Sequence, residues 1–235
     1  MALQMAAFLQ GKMDNVVFYK RSGTYIARAR PAQVKQSAAT KVRSRNFGIA
    51  ARAGKALRQS LLPALPFPKD KLMQSRFSGA IAQWLQLQSP GTMAPATAIP
   101  CVSNFCFNES TSVAERWKIP FNITQPAADV LEWEIPSFIP AVSIAAPAHT
   151  ETVACTVAAG CCRLADGVAT GHFNFSFPIA YTDSLQDAMH ITMPVPTTAG
   201  MLIVTAVSLT YLLSNGQTET RQSFQPSSVI DARYC

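Results

Sequence analysis

The stretch Met201–Phe224, "MLIVTAVSLTYLLSNGQTETRQSF", decides the fold class. An apolar, β-branched run meets Asn215-Gly216, and a polar run follows. Asn-Gly between two such runs is the strongest short-range hairpin signal, so the stretch reads as a pair of antiparallel strands. The apolar half, extended to "AGMLIVTAVSLTYLL", is too short and too rich in Thr and Ser to span a membrane. Working outward, "HFNFSF" (172–177) alternates strictly and sets Phe173, Phe175 and Phe177 on one face. "AMHITMPV" (188–195), "TETVACTVAAGCCR" (150–163) and "AVSIAAP" (141–147) supply further short strands. Six or seven short strands with frequent turns fit an antiparallel, Ig-like β-sandwich, assigned to residues 114–235.

Upstream the pattern changes. "QSPGTMAPATAIPC" (88–101) is a composition break, and residues 89–113 read as a linker. Before it, Leu72, Met73, Phe77, Ala80, Ile81, Trp84 and Leu85 form one apolar stripe of helical period between Lys69 and Leu87. An earlier helix, Ser37 to Leu62, carries Val42, Asn46, Ile49, Ala50, Ala53, Leu57 and Leu61 at steps of three and four, and Pro63 closes it. The two predict an αα-hairpin over residues 37–88. Residues 1–36 form a basic arm. Within it "VVFYKR" and "TYIARA" flank Ser22-Gly23 and predict a β-hairpin. The expected fold class is therefore α+β: an N-terminal β-hairpin plus a two-helix module, joined to a C-terminal antiparallel Ig-like sandwich.

The net charge of +7 conceals an asymmetry. Residues 1–76 hold fifteen Lys and Arg against Asp14 and Asp70, a net of +13. Residues 77–235 hold five basic residues against eleven acidic ones, a net of −6. A basic arm on an acidic body suits polyanion binding. It equally suits docking between copies, because complementary fields steer association.

All six cysteines lie in the second half: Cys101, Cys106, Cys155, Cys161, Cys162 and Cys235. Their spacing matches neither a zinc knuckle nor a thioredoxin motif. Free thiols acting as small core hydrophobes are the favoured reading, with one or more disulfides as the alternative. "MALQMAAFLQGKM" lacks a basic lead-in and is interrupted by Gln4 and Gln10, which makes it a poor secretory signal. Cytoplasmic synthesis without a signal peptide is expected, and later release from the cell stays open.

No catalytic constellation survives inspection. "GIAARAGK" (48–55) places five residues between its glycines, where a phosphate-binding loop needs four, and Ala56 follows the lysine. His149, His172 and His190 are scattered, whereas a zinc site needs converging ligands. Glu132 and Glu134 flank Trp133 on one strand face and resemble a solvated edge more than an acid–base pair. No serine sits in a nucleophile-elbow context. Asn108, Asn122 and Asn174 open N-x-S/T triplets, which matter only in a eukaryotic secreted protein. The expectation is a non-enzymatic protein with no cofactor, no metal, no small-molecule substrate and no membrane span.

The basic segment carries the functional expectation. A lone hairpin is marginal in water, so Val16, Val17, Phe18, Tyr19, Tyr25 and Ile26 are read as a strand-addition site. Lys20, Arg21, Arg28, Arg30, Arg43, Arg45, Arg52, Lys55 and Arg58 are read as docking on an acidic neighbour or on nucleic acid. Phe77, Ile81, Trp84 and Leu85 are read as an apolar helix contact with another copy. The leading expectation is a structural subunit that self-assembles into a filament, tube or shell. The alternative is a nucleic-acid-associated protein of ribosome-bound or viral-coat type.

"GKMDNVVFYKRSGTYIARARP", "NFGIAARAGKALRQSLLP" and "ITMPVPTTAGMLIVTAVSL…LSNGQTETRQS" together resemble a group of uncharacterised proteins from Bacteroidota. In those families a short basic N-terminal module precedes an Ig-like β-sandwich. The resemblance implies a bacterial origin and a two-part architecture, and it transfers no catalytic residue. The cysteine-rich "VACTVAAGCCR" and the long linker have no counterpart in it.

Overall fold

The computed structural model describes residues 11–30, 36–66, 70, 72–88, 94–96, 98–127 and 129–235. The stretch read against a secretory signal falls largely on residues 1–10, outside the described residues, as do 89–93 and 97 of the expected linker. The chain divides into two compact units, Met1–Val42 and Arg43–Cys235.

In the first unit β1 (Gly11–Met13), β2 (Val16–Arg21) and β3 (Thr24–Ala29) form an antiparallel meander in that order. The expected hairpin is its second half, with Val16 opposite Ala29 and Arg21 opposite Thr24. Ser22 (φ 48) and Gly23 (φ 85) both adopt the left-handed backbone that a two-residue turn needs to follow the strand twist. A second two-residue turn, Asp14-Asn15, sets Met13 opposite Val16 and adds β1. Asp14 at φ 49 tolerates this conformation because its short carboxylate can bond the local backbone.

Helix α1 (Ala38–Ser60) begins in the first unit and continues through the second. The Ser37 hydroxyl accepts a bond from the Thr40 amide at 3.2 Å and caps its start. Helix α2 (Met73–Leu87) runs antiparallel to α1, since the Asn46 amide donates to the Leu85 carbonyl while Gly54 faces Ser78. A Cβ on Gly54 would lie 2.8 Å from the Ser78 hydroxyl oxygen, so glycine here sets how closely the helices approach. Short helical turns follow at α3 (Pro100–Ser103), α4 (Val113–Arg116) and α5 (Pro140–Ser143).

Seven strands complete the second unit: β4 (Asn122–Ala127), β5 (Val130–Ile135), β6 (Thr150–Arg163), β7 (Val168–Ala180), β8 (Met189–Pro194), β9 (Met201–Leu213) and β10 (Ser227–Tyr234). They form two antiparallel sheets, ordered β4-β5-β8 and β10-β9-β6-β7. Leu131, Trp133, Ile135 and Met193 of the first meet Val153, Cys155, Val157, Ile203, Val207 and Tyr211 of the second in one buried cluster. The Arg233 guanidinium donates to the Ile123 carbonyl at 2.7 Å and ties β10 to β4.

The opposite face of the four-stranded sheet is covered by helices. Ala158, Cys162, Leu202, Val204, Ala206 and Val229 share a second cluster with Leu57, Leu61, Phe77, Ile81, Trp84 and Leu85. A Cβ on Gly160 would lie 2.8 Å from the Ser60 Cβ, which is how α1 reaches β6. The architecture is thus α+β with three layers: helices, a four-stranded sheet and a three-stranded sheet. Strand β9 feeds both clusters, even residues one way and odd residues the other, so Met201–Leu209 is buried without interruption. A strand covered on both faces reads as a continuous apolar run, as this one does.

Three expectations change. The stripe Phe77, Ile81, Trp84 and Leu85 was expected to meet another copy, but all four are at most 4% exposed within this chain. Phe77 packs on Phe105 and Phe107 (ring centroids 5.1 and 5.3 Å) and Trp84 on Tyr234 (5.3 Å), so residues distant in sequence cover the stripe. The turn at Asn215-Gly216 forms, yet "QTETRQSF" pairs with β9 only as a stub at Leu212–Thr218. The Glu219 carboxylate there holds the Arg221 amide and guanidinium, Gln222–Phe224 coils into a 3-10 turn, and Ser227–Tyr234 is the strand that pairs along β9. Finally, "AVSIAAP" is no strand: Pro140–Ser143 turns helically, and only Ile144 bridges to Trp117.

Candidate assembly surfaces

The surviving candidates lie on the meander, on α1 and at one loop of the sandwich. In the meander the register places Val17, Arg28, Tyr19 and Ile26 on one face and Val16, Phe18, Lys20 and Tyr25 on the other. Val16, Val17, Phe18, Tyr19 and Ile26 are half-buried and Tyr25 is exposed. Arg28 stands 5.9 Å from the Tyr19 ring centroid and Lys20 5.1 Å from that of Tyr25. Cations and aromatics on the two strands therefore meet as cross-strand cation–π pairs. Strands β1 and β3 are edges, each with a main-chain side unpaired by any described strand.

Helix α1 is exposed on every side from Ala38 to Arg45. Its first turns carry Lys41, Arg43 and Arg45 with no acidic residue in the first turn. Cations at the positive end of a helix dipole are disfavoured unless an anion joins them. Val42 (54% exposed) and Phe47 (59%) lie among these charges. Further along, Arg52 and Lys55 are exposed, whereas Arg58 is half-buried and donates its Nε to the Gly54 carbonyl at 3.0 Å. Burial lowers the Arg58 pKa below the ordinary arginine value. Lys55, Arg58, Gln59, Leu62, Leu65 and Met73 line a cavity of about 280 Å³ beside α1.

Among the described residues, none of Lys20, Arg21, Arg28, Arg30, Arg43, Arg45, Arg52, Lys55 or Arg58 meets a carboxylate. The later arginines behave differently. Arg76 pairs with Asp70 (2.6 Å), Arg163 with Asp166 (2.9 Å), Arg221 with Glu219 (2.6 Å) and Arg233 with Asp231 (2.8 Å). Of the eleven acidic residues in 77–235, Glu109, Asp166, Glu219 and Asp231 are thus held by arginines of this chain.

The loop before β8, which sequence reading did not single out, sets acidic side chains beside an exposed apolar one. Gln186 and Phe138 exchange main-chain bonds (2.8 and 3.1 Å), and the Ala141 amide donates to the Thr182 carbonyl at 3.1 Å. These bonds fix the loop with Leu185 65% exposed and Asp183 and Asp187 exposed on either side. Neither aspartate pairs with a described cation. The neighbouring segment presents Ile139 and Val142 (66% exposed). The signal in the sequence was a leucine between two aspartates in a turn-like "DSLQD".

Glu132 and Glu134, read as a solvated edge, lie on β5, the central strand of its sheet. Glu132 and Glu134 share one face of β5 with His190 across from them, while Trp133 turns inward. His190 Nε2 lies 3.3 Å from Glu132, in a solvated pair. "GIAARAGK" lies inside α1. The Asn108 amide is buried and donates to the Gln222 and Gln225 carbonyls, so that triplet is no sugar acceptor in the folded chain. All six cysteines are free thiols; Cys155, Cys161 and Cys162 are buried in β6. Among the described residues no group of three or more His, Cys, Asp or Glu could hold a metal ion, and no helix is long and apolar enough to cross a membrane. A scan against protein-family models finds no match to this chain, and no curated protein matches its sequence.

Proposed function

We propose that this protein is a non-enzymatic structural subunit that assembles with copies of itself through its N-terminal module. The observation that carries this reading is the first half of α1. It is exposed on every side over Ala38–Arg45, yet it carries Val42 and, just beyond, Phe47. An exposed apolar pair on a cationic helix end is covered most economically by a protein surface, since a polyanion alone would leave the apolar atoms wet. The β1 and β3 edges add main-chain groups that a neighbour's strand can pair. The strand orders support an Ig-type sandwich as the building block. Lettering β4 to β10 as A, B, C, C′, E, F and G gives sheets A-B-E and G-F-C-C′.

Negative-stain microscopy of nuclease-treated protein, beside a variant lacking residues 1–30, tests the proposal. Ordered filaments, tubes or shells lost on truncation are the expected result; a monodisperse monomer from the intact chain would refute it. The second reading, a nucleic-acid-bound arm, is favoured by the carboxylate-free cations beside exposed Tyr25 and Phe47, because aromatics stack on bases. It predicts affinity for single-stranded RNA or DNA that falls log-linearly with salt.

A further inference from the structure

We propose that the cavity beside α1 receives the Asp183–Asp187 loop of a second copy, with Leu185 as the apolar plug and the two aspartates against Lys55 and Arg58. The inference rests on the self-assembly reading and names the two surfaces that meet. Lys55 and Arg58 are three residues apart on α1 and so share one face of the helix. Neither has a carboxylate partner among the described residues, and Arg58 has already given up part of its hydration. Beside Gln59, the rest of the cavity lining is apolar: Leu62, Leu65 and Met73. A free inorganic anion would satisfy the charges and leave that lining wet. The cavity calls for an apolar group carrying two negative charges at its sides.

The Asp183–Asp187 loop has that composition: Leu185 at the centre, with a carboxylate two residues away on each side. It is also preformed. The Phe138–Gln186 and Ala141–Thr182 main-chain bonds hold it in place, so little conformational entropy is lost on docking. An apolar anchor in a pocket, ringed by charge pairs that exclude water, is the usual anatomy of a binding hot spot. This loop does not occupy the cavity of its own chain, because its Leu185 remains 65% exposed. Donor and acceptor surfaces are different, which makes the contact heterologous. Such a contact propagates through successive copies unless a rotation closes it into a ring.

Charge reversal in full-length, nuclease-treated protein provides the test, read by sedimentation velocity across a concentration series. Lys55→Glu/Arg58→Glu alone, and Asp183→Lys/Asp187→Lys alone, each weaken self-association by about tenfold or more, as reversal of close interfacial charge pairs does. Mixed one to one, the two variants regain association as an alternating copolymer, because the reversed cavity of one meets the reversed loop of the other while the unaltered loop and cavity still match. Leu185→Asp alone loses association; with Lys55→Glu/Arg58→Glu, whose loop is intact, it forms only capped heterodimers, and Asp183→Lys/Asp187→Lys does not rescue it. Lys55, Asp183, Leu185 and Asp187 are exposed and Arg58 is half-buried, and unchanged thermal melts establish that the fold is intact. Wild type that assembles alongside single variants that assemble equally well would overturn this contact and leave the arm-based reading standing. Wild type that stays monomeric at every concentration would overturn both.

Discussion

Truncating Phe77 to alanine tests the reassignment of the α2 stripe from interface to core. Phe77 is fully buried, with Phe105 and Phe107 rings at 5.1 and 5.3 Å. Removing a ring from such a site destabilises a protein by about 3–5 kcal/mol through lost transfer energy and the cavity left behind. Each lost aromatic pair is worth about 0.5–1.5 kcal/mol within that figure. For a cooperative unit of the size of Arg43–Cys235, each kcal/mol lowers the melting temperature by about 2–4 °C, so the expected loss is about 6–20 °C. Urea denaturation at a concentration where the protein is monomeric measures the effect without any contribution from assembly. A loss below about 1 kcal/mol there, accompanied by failure to assemble, would refute the argument, because it would mean that the stripe is covered by a partner rather than by this chain.

Three further outcomes follow from the same packing. Gly160→Val drives side-chain atoms into Ser60, whose Cβ would lie 2.8 Å from any Cβ at position 160, and is expected to cost about 1–3 kcal/mol in urea denaturation. The Arg221 side chain and amide lower the Glu219 pKa to about 2, so the folded state binds fewer protons than the unfolded one between the ordinary glutamate value and that point. Stability from this contact is complete above the ordinary value and is lost as pH falls toward 2; Glu219→Gln should flatten that part of a pH–stability curve. Burial raises the thiol pKa values of Cys155 and Cys161 and pushes Cys162 up to about 12. At neutral pH a thiol reagent should therefore label the half-buried Cys101, Cys106 and Cys235 first and reach the β6 thiols only in denaturant, and equal rates at all six would contradict the core placement.

Local chemistry was legible wherever a few adjacent residues decide a conformation. Ser22-Gly23 and Asn215-Gly216 are turns in which Ser22, Gly23 and Gly216 take the left-handed backbone, a choice made within the turn itself. The spacing of Ala50, Ala53, Leu57 and Leu61, and of Phe77, Ile81, Trp84 and Leu85, marked two helices and their buried faces. The charge division between arm and body was a matter of counting.

Which surface lies against which was a long-range matter, and one sequence carries little of it. The stripe around Trp84 called for a cover; only the folded chain supplies it from Phe105, Phe107, Tyr234 and the β6, β9 and β10 face. "QTETRQSF" looked like the returning strand because it follows a hairpin turn. Main-chain pairing instead went to Ser227–Tyr234, whose buried Val229 and Ala232 join the helical core. The same holds for function. A sequence shows that Lys55 and Arg58 are basic and that Asp183, Leu185 and Asp187 are close together. Only the tertiary structure decides that the first pair borders an apolar cavity and that the loop stands out from the sandwich with its leucine exposed. Turns and helical faces depend on neighbours in the chain, whereas cavities and exposed anchors depend on what the rest of the fold leaves uncovered.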